Sequence, residues 1–163
     1  MRARPASAAA TLLAAASLAM ALPAAAATTD PVPPGTYVIA NSAGQCLRTE
    51  GVFNAKVTLG PCDTRWKVTP ADEEGAVVIR HADTGNCMAF ALERIYPPRV
   101  ATIPCEVGGA AQGWLVREAE AERVTIAGPR GGGYVTGTGA DRPLVILPDD
   151  ESADRRLWTF RQA

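Results

Sequence analysis

The sequence contains only one histidine, His81, and it has neither a C-x-x-C pair nor a G-x-S-x-G motif. A single imidazole cannot assemble a metal site, and a serine nucleophile of the hydrolase type would lack its usual sequence context. Because His81 precedes the turn residues Ala82-Asp83, we predict a solvated histidine at a strand end. These absences argue against an enzyme, a resident cofactor and a bound metal.

Two acidic clusters and one glycine run could still suggest catalysis. Asp72-Glu73-Glu74 and Asp149-Asp150-Glu151 both fall between predicted strands, where charged residues usually face solvent. No apolar segment beside them would raise the pKa of one carboxyl, as glycoside hydrolysis requires. Gly131-Gly132-Gly133 lacks the lysine and the helix of a phosphate-binding loop and is typical of a tight hairpin turn. We therefore expect a protein that acts by binding.

Strong charge of one sign is also missing. The chain has 16 basic and 17 acidic residues, a net charge of −1. Residues 1–27 have the layout of a secretory signal peptide: Arg2 and Arg4, an apolar run from Ala8 to Leu22, and small residues before cleavage near Ala27. A membrane anchor is the weaker alternative, because the run is short and dominated by alanine. Without the leader the net charge is near −3, which argues against nucleic acid or an anionic membrane as the partner.

The remaining chain contains three internal repeats. The dipeptides Pro61-Cys62, Pro104-Cys105 and Pro148-Asp149 recur at intervals of 43 and 44 residues, and a tryptophan follows each pair. Such regular spacing indicates one structural unit used three times. We place the repeats at about 35–74, 75–121 and 122–161, after a short Pro-rich segment at 28–34.

Each repeat carries four short apolar runs of strand length and no long helical pattern. The first repeat shows them at Tyr37-Val38-Ile39, Cys46-Leu47, Val57-Thr58-Leu59 and Trp66-Lys67-Val68. Turn residues such as Ser42-Ala43-Gly44 separate the first two runs. The pattern predicts an all-β domain with pseudo-threefold symmetry. The three repeats would complete one another's core, so we expect a monomer.

Four cysteines allow three disulfide connectivities. Equivalent positions in two repeats should form equivalent bonds, which favours Cys46–Cys62 and Cys87–Cys105. Zinc is disfavoured by the spacing and by export, which favours disulfides.

This arrangement resembles the β-trefoil of the ricin-B lectin superfamily over about residues 35–161. Gln112-Gly113-Trp114 matches the Q-x-W signature, whereas Trp66 and Trp158 keep only the tryptophan. The resemblance implies a β-trefoil with the three tryptophans in its core.

The same resemblance implies where a sugar would bind: an aspartate just after Cys-Leu and an aromatic ring just before the proline of the third strand. A charged acceptor and a flat ring are what a pyranose needs. Neither is present, so we do not expect lectin activity of the usual kind. The aspartate positions hold Arg48, Ala89 and Val135, and the aromatic positions hold Gly60, Ile103 and Leu147.

The opening Pro33-Pro34-Gly35-Thr36-Tyr37-Val38-Ile39 and the cysteine-free third repeat are similar to mushroom-type (cospin-like) serine protease inhibitors. That resemblance implies an exposed, rigid reactive loop that binds a secreted serine protease. Rigidity matters because it lowers the ordering cost of binding.

Two loops could serve as the reactive loop. The segment 90–99 carries Arg94, Ile95 and Tyr96, and Arg94 suits a pocket that bears a carboxylate. The segment 48–56 carries Phe53 and Asn54, and the inhibitor resemblance points to Asn54. The alternatives are ordinary solvated hairpin loops, or a ricin-B-type carbohydrate-binding module with degenerate sugar sites.

Overall fold

A computed structural model describes residues 31–148 and 153–163. Over these ranges the chain forms twelve short strands, one short helix, α1, and three 3-10 helices. The predicted signal peptide and the cluster Asp149-Asp150-Glu151 lie outside the described residues. The helix α1 spans Cys105–Gly108, and the 3-10 helices span Gly109–Gln112, Pro129–Gly131 and Ala153–Arg156. The strands are β1 (Gly35–Asn41), β2 (Cys46–Thr49), β3 (Ala55–Gly60), β4 (Trp66–Pro70), β5 (Ala76–His81), β6 (Cys87–Phe90), β7 (Val100–Ile103), β8 (Gly113–Glu118), β9 (Val124–Ala127), β10 (Tyr134–Thr136), β11 (Val145–Leu147) and β12 (Leu157–Gln162).

Six strands close into an antiparallel barrel. The pairings run from β1 to β4, β5, β8, β9 and β12, and β12 pairs with β1 again. The other six strands form three hairpins, β2–β3, β6–β7 and β10–β11, and each is joined to the barrel at its first strand. A closed barrel with three hairpins is the β-trefoil, so the predicted fold class is confirmed.

The predicted core tryptophans, Trp66, Trp114 and Trp158, are fully buried. Their indole Nε1 groups donate to the backbone oxygens of Leu47, Met88 and Val135, at 3.0, 2.8 and 3.1 Å. A buried indole needs such an acceptor, and the same bond in every repeat ties the barrel to its hairpins.

The hairpins meet where β3, β7 and β11 begin. Val57, Val100 and Leu144 hold equivalent, fully buried positions there. Leu144 N donates to Val57 O and Val100 N donates to Leu144 O, at 2.8 and 3.0 Å. The three repeats are therefore joined by backbone hydrogen bonds as well as by apolar contact.

Both predicted disulfides are present, Cys46–Cys62 and Cys87–Cys105. One prediction is wrong: His81 is buried rather than solvated. Its backbone pairs with Trp66, its ring lies edge-on to that indole at 5.5 Å, and its Nδ1 lies 2.9 Å from the Thr84 hydroxyl. Pairing at the end of β5 thus carries this side chain into the core. No helix in the described part of the chain is long and apolar enough to cross a membrane.

Candidate functional site

The indole hydrogen bonds identify equivalent positions in the three repeats. Leu47, Met88 and Val135 are equivalent, so the residues after them are Arg48, Ala89 and Thr136. Our sequence alignment of the third repeat is therefore wrong by one residue, because it placed Val135 at the aspartate position. In the sequence, Gly131-Gly132 resembles the turn before Cys-Leu in the other repeats, which matches Gly133-Tyr134 to Cys-Leu. The structure matches Tyr134-Val135 to it instead.

In the first repeat, Arg48 occupies the space where the resemblance would place a sugar and its aromatic platform. A Cβ atom built on Gly60 would lie 2.5 Å from Arg48 Cδ, so the arginine stem lies directly over the glycine. The guanidinium pairs with Glu50. Glycine here makes room for arginine, and the position offers no ring for stacking.

In the second and third repeats the same positions carry neither group that a sugar needs. Ala89, Ile103 and Thr136 are at most 2% exposed, and Leu147 is half-buried and aliphatic. The Thr136 hydroxyl donates to Tyr134 O at 3.0 Å. No position of the usual ricin-B site therefore offers an acidic acceptor or an aromatic ring in any of the three repeats.

The two predicted reactive loops lie side by side, although the sequence treats them as separate candidates. We call residues 50–54 and 91–99 the paired loops. Asn54 Oδ1 accepts a hydrogen bond from Leu92 N at 3.1 Å, and Lys56 forms an ion pair with Glu93. The contact follows from the antiparallel pairing of Lys56 in β3 with Ala101 in β7.

Arg94 is exposed at the centre of a three-residue turn. Ile95 N donates to Glu93 O at 3.1 Å, and Ala91 N donates to Arg99 O at 2.8 Å where the loop leaves the sheet. The bond from Ile95 N to Glu93 O closes a γ-turn, in which Arg94 is exposed. Asn54 is half-buried and has a φ of 47°, a left-handed conformation that asparagine tolerates better than most residues.

The paired loops carry most of the exposed large apolar side chains in the described part of the chain. Five of the six lie there, and the sixth is Val107 in α1. Clustered apolar exposure usually marks a binding surface. The five and their exposed fractions are Val52 72%, Phe53 59%, Leu92 50%, Ile95 40% and Tyr96 82%.

The ion pair between Lys56, in β3, and Glu93, in the second of the paired loops, also lowers the pKa of the Glu93 carboxyl. The hydrogen bond from the Lys56 ammonium, followed by a backbone hydrogen bond, holds the pKa of Glu93 below its usual value of 4.5. Glu93 is solvent-exposed, so this contact orders the loop more than it stabilises the fold.

A cleft of about 500 Å³ separates the second paired loop from the third repeat. Tyr96 and Tyr134 line it, and Gly131-Gly132-Gly133 adds backbone free of side chains. Arg156 lies over the Tyr134 ring, 5.0 Å from its centroid. We call this the tyrosine cleft; Pro98, Ile146 and Pro148 complete its lining.

Other residues that the sequence singled out lie outside the tyrosine cleft and the paired loops. Asp72, Glu73 and Glu74 are exposed in the turn between β4 and β5, as predicted. Phe90 packs edge-on against Trp114 with ring centroids 5.8 Å apart, so it belongs to the core margin. No group of three or more potential metal-ligating side chains was found among the described residues.

No protein-family model matches this sequence. No curated protein matches it either. Solved structures do resemble it. A Polyporus squamosus lectin bound to the epitope Neu5Aca2-6Galb1-4GlcNAc is 20% identical with a TM-score of 0.68; the match covers 79% of this chain and 49% of that one.

Two further structures align over nearly their whole length. The designed 3-fold symmetric protein ThreeFoil is 13% identical with a TM-score of 0.68, over 79% of this chain and 99% of its own. SeviL bound to asialo-GM1 saccharide is 15% identical with a TM-score of 0.59, over 80% and 99%. Identities this low establish the fold alone. The chain thus shares the β-trefoil fold of these structures and spans about half of the Polyporus lectin.

Proposed function

We propose that this chain is a secreted carbohydrate-binding protein whose glycan site is the tyrosine cleft. The observation that carries the proposal is the cleft itself, in which two tyrosines border a strip of glycine backbone. Structural neighbours that hold saccharides support the same class of ligand by analogy of fold. The usual ricin-B positions do not contribute, because they carry neither an acidic side chain nor an aromatic ring.

The chemistry of the cleft suits a sugar ring. One face of a pyranose is apolar and packs on an aromatic ring, while its hydroxyls need donors and acceptors at the edges. Tyrosine supplies both a ring and a hydroxyl, and a glycine backbone lets a ligand approach the peptide groups closely. Among the described residues the lining of the cleft contains no carboxylate, and the Arg156 guanidinium lies beside it over the Tyr134 ring, so a neutral or anionic glycan is the expected ligand class.

A glycan array followed by calorimetry tests the site. We expect Tyr96→Ala and Tyr134→Ala each to weaken binding of the selected glycan. A ring contact contributes about 0.5–1.5 kcal/mol beyond its buried area, so Kd should rise at least about 2- to 12-fold. Val107→Ala, which removes an exposed apolar side chain elsewhere, should leave Kd unchanged. Glycan binding that survives both tyrosine substitutions would place the site elsewhere.

Secretion as a monomer is part of the same proposal. The leader at 1–27 lies outside the described residues, and the support within them is the pair of disulfides, which persist in oxidising compartments. A mildly acidic mature chain fits an extracellular ligand other than nucleic acid or an anionic membrane.

A second candidate function is inhibition of a secreted serine protease. It is favoured by Arg94, which is exposed at the centre of a tight turn and is flanked by the exposed apolar residues Leu92 and Ile95. An arginine surrounded by apolar groups is a common interface anchor. Titration of trypsin and subtilisin with the purified chain, and with Arg94→Ala, tests this candidate.

A further inference from the structure

The paired loops come from different repeats but are linked by a hydrogen bond and an ion pair. Residues 54 and 92 are 38 positions apart in sequence, yet Asn54 Oδ1 accepts the Leu92 amide at 3.1 Å. The ion pair between Lys56, at the start of β3, and Glu93 joins the same two segments of the chain. Each loop is therefore restrained by a partner outside its own hairpin.

The contacts assign different roles to the two predicted reactive residues. Asn54 already uses its side-chain oxygen inside the molecule, and it is half-buried. Arg94 is exposed, and the turn around it is closed by the hydrogen bond from Ile95 N to Glu93 O. The paired loops thus offer Arg94 as an exposed cation in a turn, Arg99 as a second exposed arginine where the loop returns to the sheet, and Asn54 as an inner residue that holds its loop in place.

The charges around Arg94 define the partner. Glu93 and Glu50 are neutralised by Lys56 and Arg48 respectively. The exposed side chain between the apolar residues Leu92 and Ile95 is a guanidinium, which pairs best with a carboxylate at the bottom of a pocket. An Arg-specific serine protease offers such a pocket.

We propose that the paired loops form a single inhibitory unit directed at trypsin-like serine proteases, with Arg94 entering the carboxylate-bearing pocket. Asn54 and Lys56 are positioning residues, and Phe53 and Ile95 contact the rim of the protease cleft. This inference rests on the inhibitor candidate proposed above. Preorganisation is the physical basis, since a loop already held in its bound shape loses less entropy on binding.

Positioning also decides whether the loop acts as an inhibitor or as a substrate. The protease serine would attack the Arg94 carbonyl, forming an acyl ester and passing its proton to the leaving Ile95 amine. Water would then hydrolyse the ester, supplying the hydroxyl to the Arg94 carboxyl and a proton to the serine. In a restrained loop the released amine stays beside the ester, so it re-forms the peptide bond and frees the serine before water attacks. Loosening the loop should therefore raise both the inhibition constant and the rate of cleavage.

The experiment measures the inhibition constant and the cleavage rate for trypsin, using the purified wild-type chain and four variants. Arg94→Ala should abolish inhibition, and Arg94→Lys should retain it. Asn54→Ala should raise the inhibition constant about 3- to 10-fold, as loss of one ordering hydrogen bond predicts, and should speed cleavage at Arg94. Asn54→Asp keeps an acceptor for the Leu92 amide but loses the amide donor to Glu93, so its inhibition constant should fall between those of the wild type and Asn54→Ala.

The controls separate the possible failures. Arg117→Ala removes an exposed arginine from β8 and should change neither quantity. Tryptophan fluorescence confirms that each variant folds. If the wild type inhibits and Asn54→Ala inhibits equally well without faster cleavage, the inhibitor function stands and the positioning role is overturned. If the wild type does not inhibit trypsin at tens of micromolar, both are overturned.

Discussion

At the scale of single residues, the sites that sequence comparison would have proposed are occupied by other interactions. Arg48 crosses Gly60 and pairs with Glu50, and Asn54 bonds to the Leu92 amide. Residue type alone could not distinguish Asn54 as a reactive residue from Asn54 as a structural one. Its hydrogen-bond partner belongs to another repeat, so only the folded chain brings the two together.

The titration of Glu93 tests the ion pair between the loops. Lys56 stabilises the charged carboxylate, so the pKa is lowered, and the contact is intact above the unfolded value and lost as pH falls through the folded value. We expect Lys56→Met to return the pKa of Glu93 towards 4.5. Side-chain carbonyl NMR across pH 2–7 measures it, with the wild-type chain titrated alongside. An unchanged Glu93 pKa in Lys56→Met would rule out the pairing in solution.

At the scale of elements, the three hairpins are equivalent in topology but not in covalent support. Disulfides join the first strand of β2–β3 and β6–β7 to the segment after the second strand, and the paired cysteines are 16 and 18 positions apart in sequence. Tyr134 takes the equivalent place in β10, opposite Leu147, where no cysteine is available. The third hairpin therefore depends on packing and on its backbone pairing.

Hydrogen exchange should reveal this difference. We expect the amides of β10–β11 to exchange faster than those of β2–β3 and β6–β7 in the native protein, because an unbridged hairpin opens locally at lower cost. In Cys87→Ala/Cys105→Ala, β6–β7 should approach the rate of β10–β11. The global free energy of unfolding should fall by about 3 kcal/mol, as expected for a loop of this length. Equal protection in all three native hairpins would contradict the argument.

At the scale of the whole molecule, the repeats hold one another together. Val57, Val100 and Leu144 come from three hairpins and are fully buried, with backbone hydrogen bonds passing between them through Leu144. No repeat can complete this contact alone. We therefore expect a single cooperative unfolding unit despite the internal repetition.

Truncation at that contact tests the cooperativity. Leu144→Ala should lower the free energy of unfolding by about 2–5 kcal/mol, because it leaves a cavity shared by three repeats. Urea unfolding followed by tryptophan fluorescence and by circular dichroism should still give coincident transitions. The matched exposed substitution Val107→Ala should cost less than about 0.5 kcal/mol. Separate transitions in Leu144→Ala would indicate repeats that unfold independently.

The sequence by itself determined the features that repeat locally. Strand-length apolar runs, turn residues and the spacing of Pro-Cys and tryptophan predicted an all-β trefoil, and the repeat logic paired Cys46 with Cys62 and Cys87 with Cys105 correctly. These patterns are readable because each depends on neighbours within one repeat.

Only the tertiary structure decided which loops and side chains meet across repeats. It brought residues 50–54 beside 91–99, placed Tyr96 and Tyr134 in one cleft, buried His81 and moved the third equivalent position from Val135 to Thr136. Closure of the barrel sets these contacts, because residues remote in sequence become neighbours only when all six barrel strands have paired. Local periodicity carries no information about that closure, so the candidate sites had to come from the folded chain.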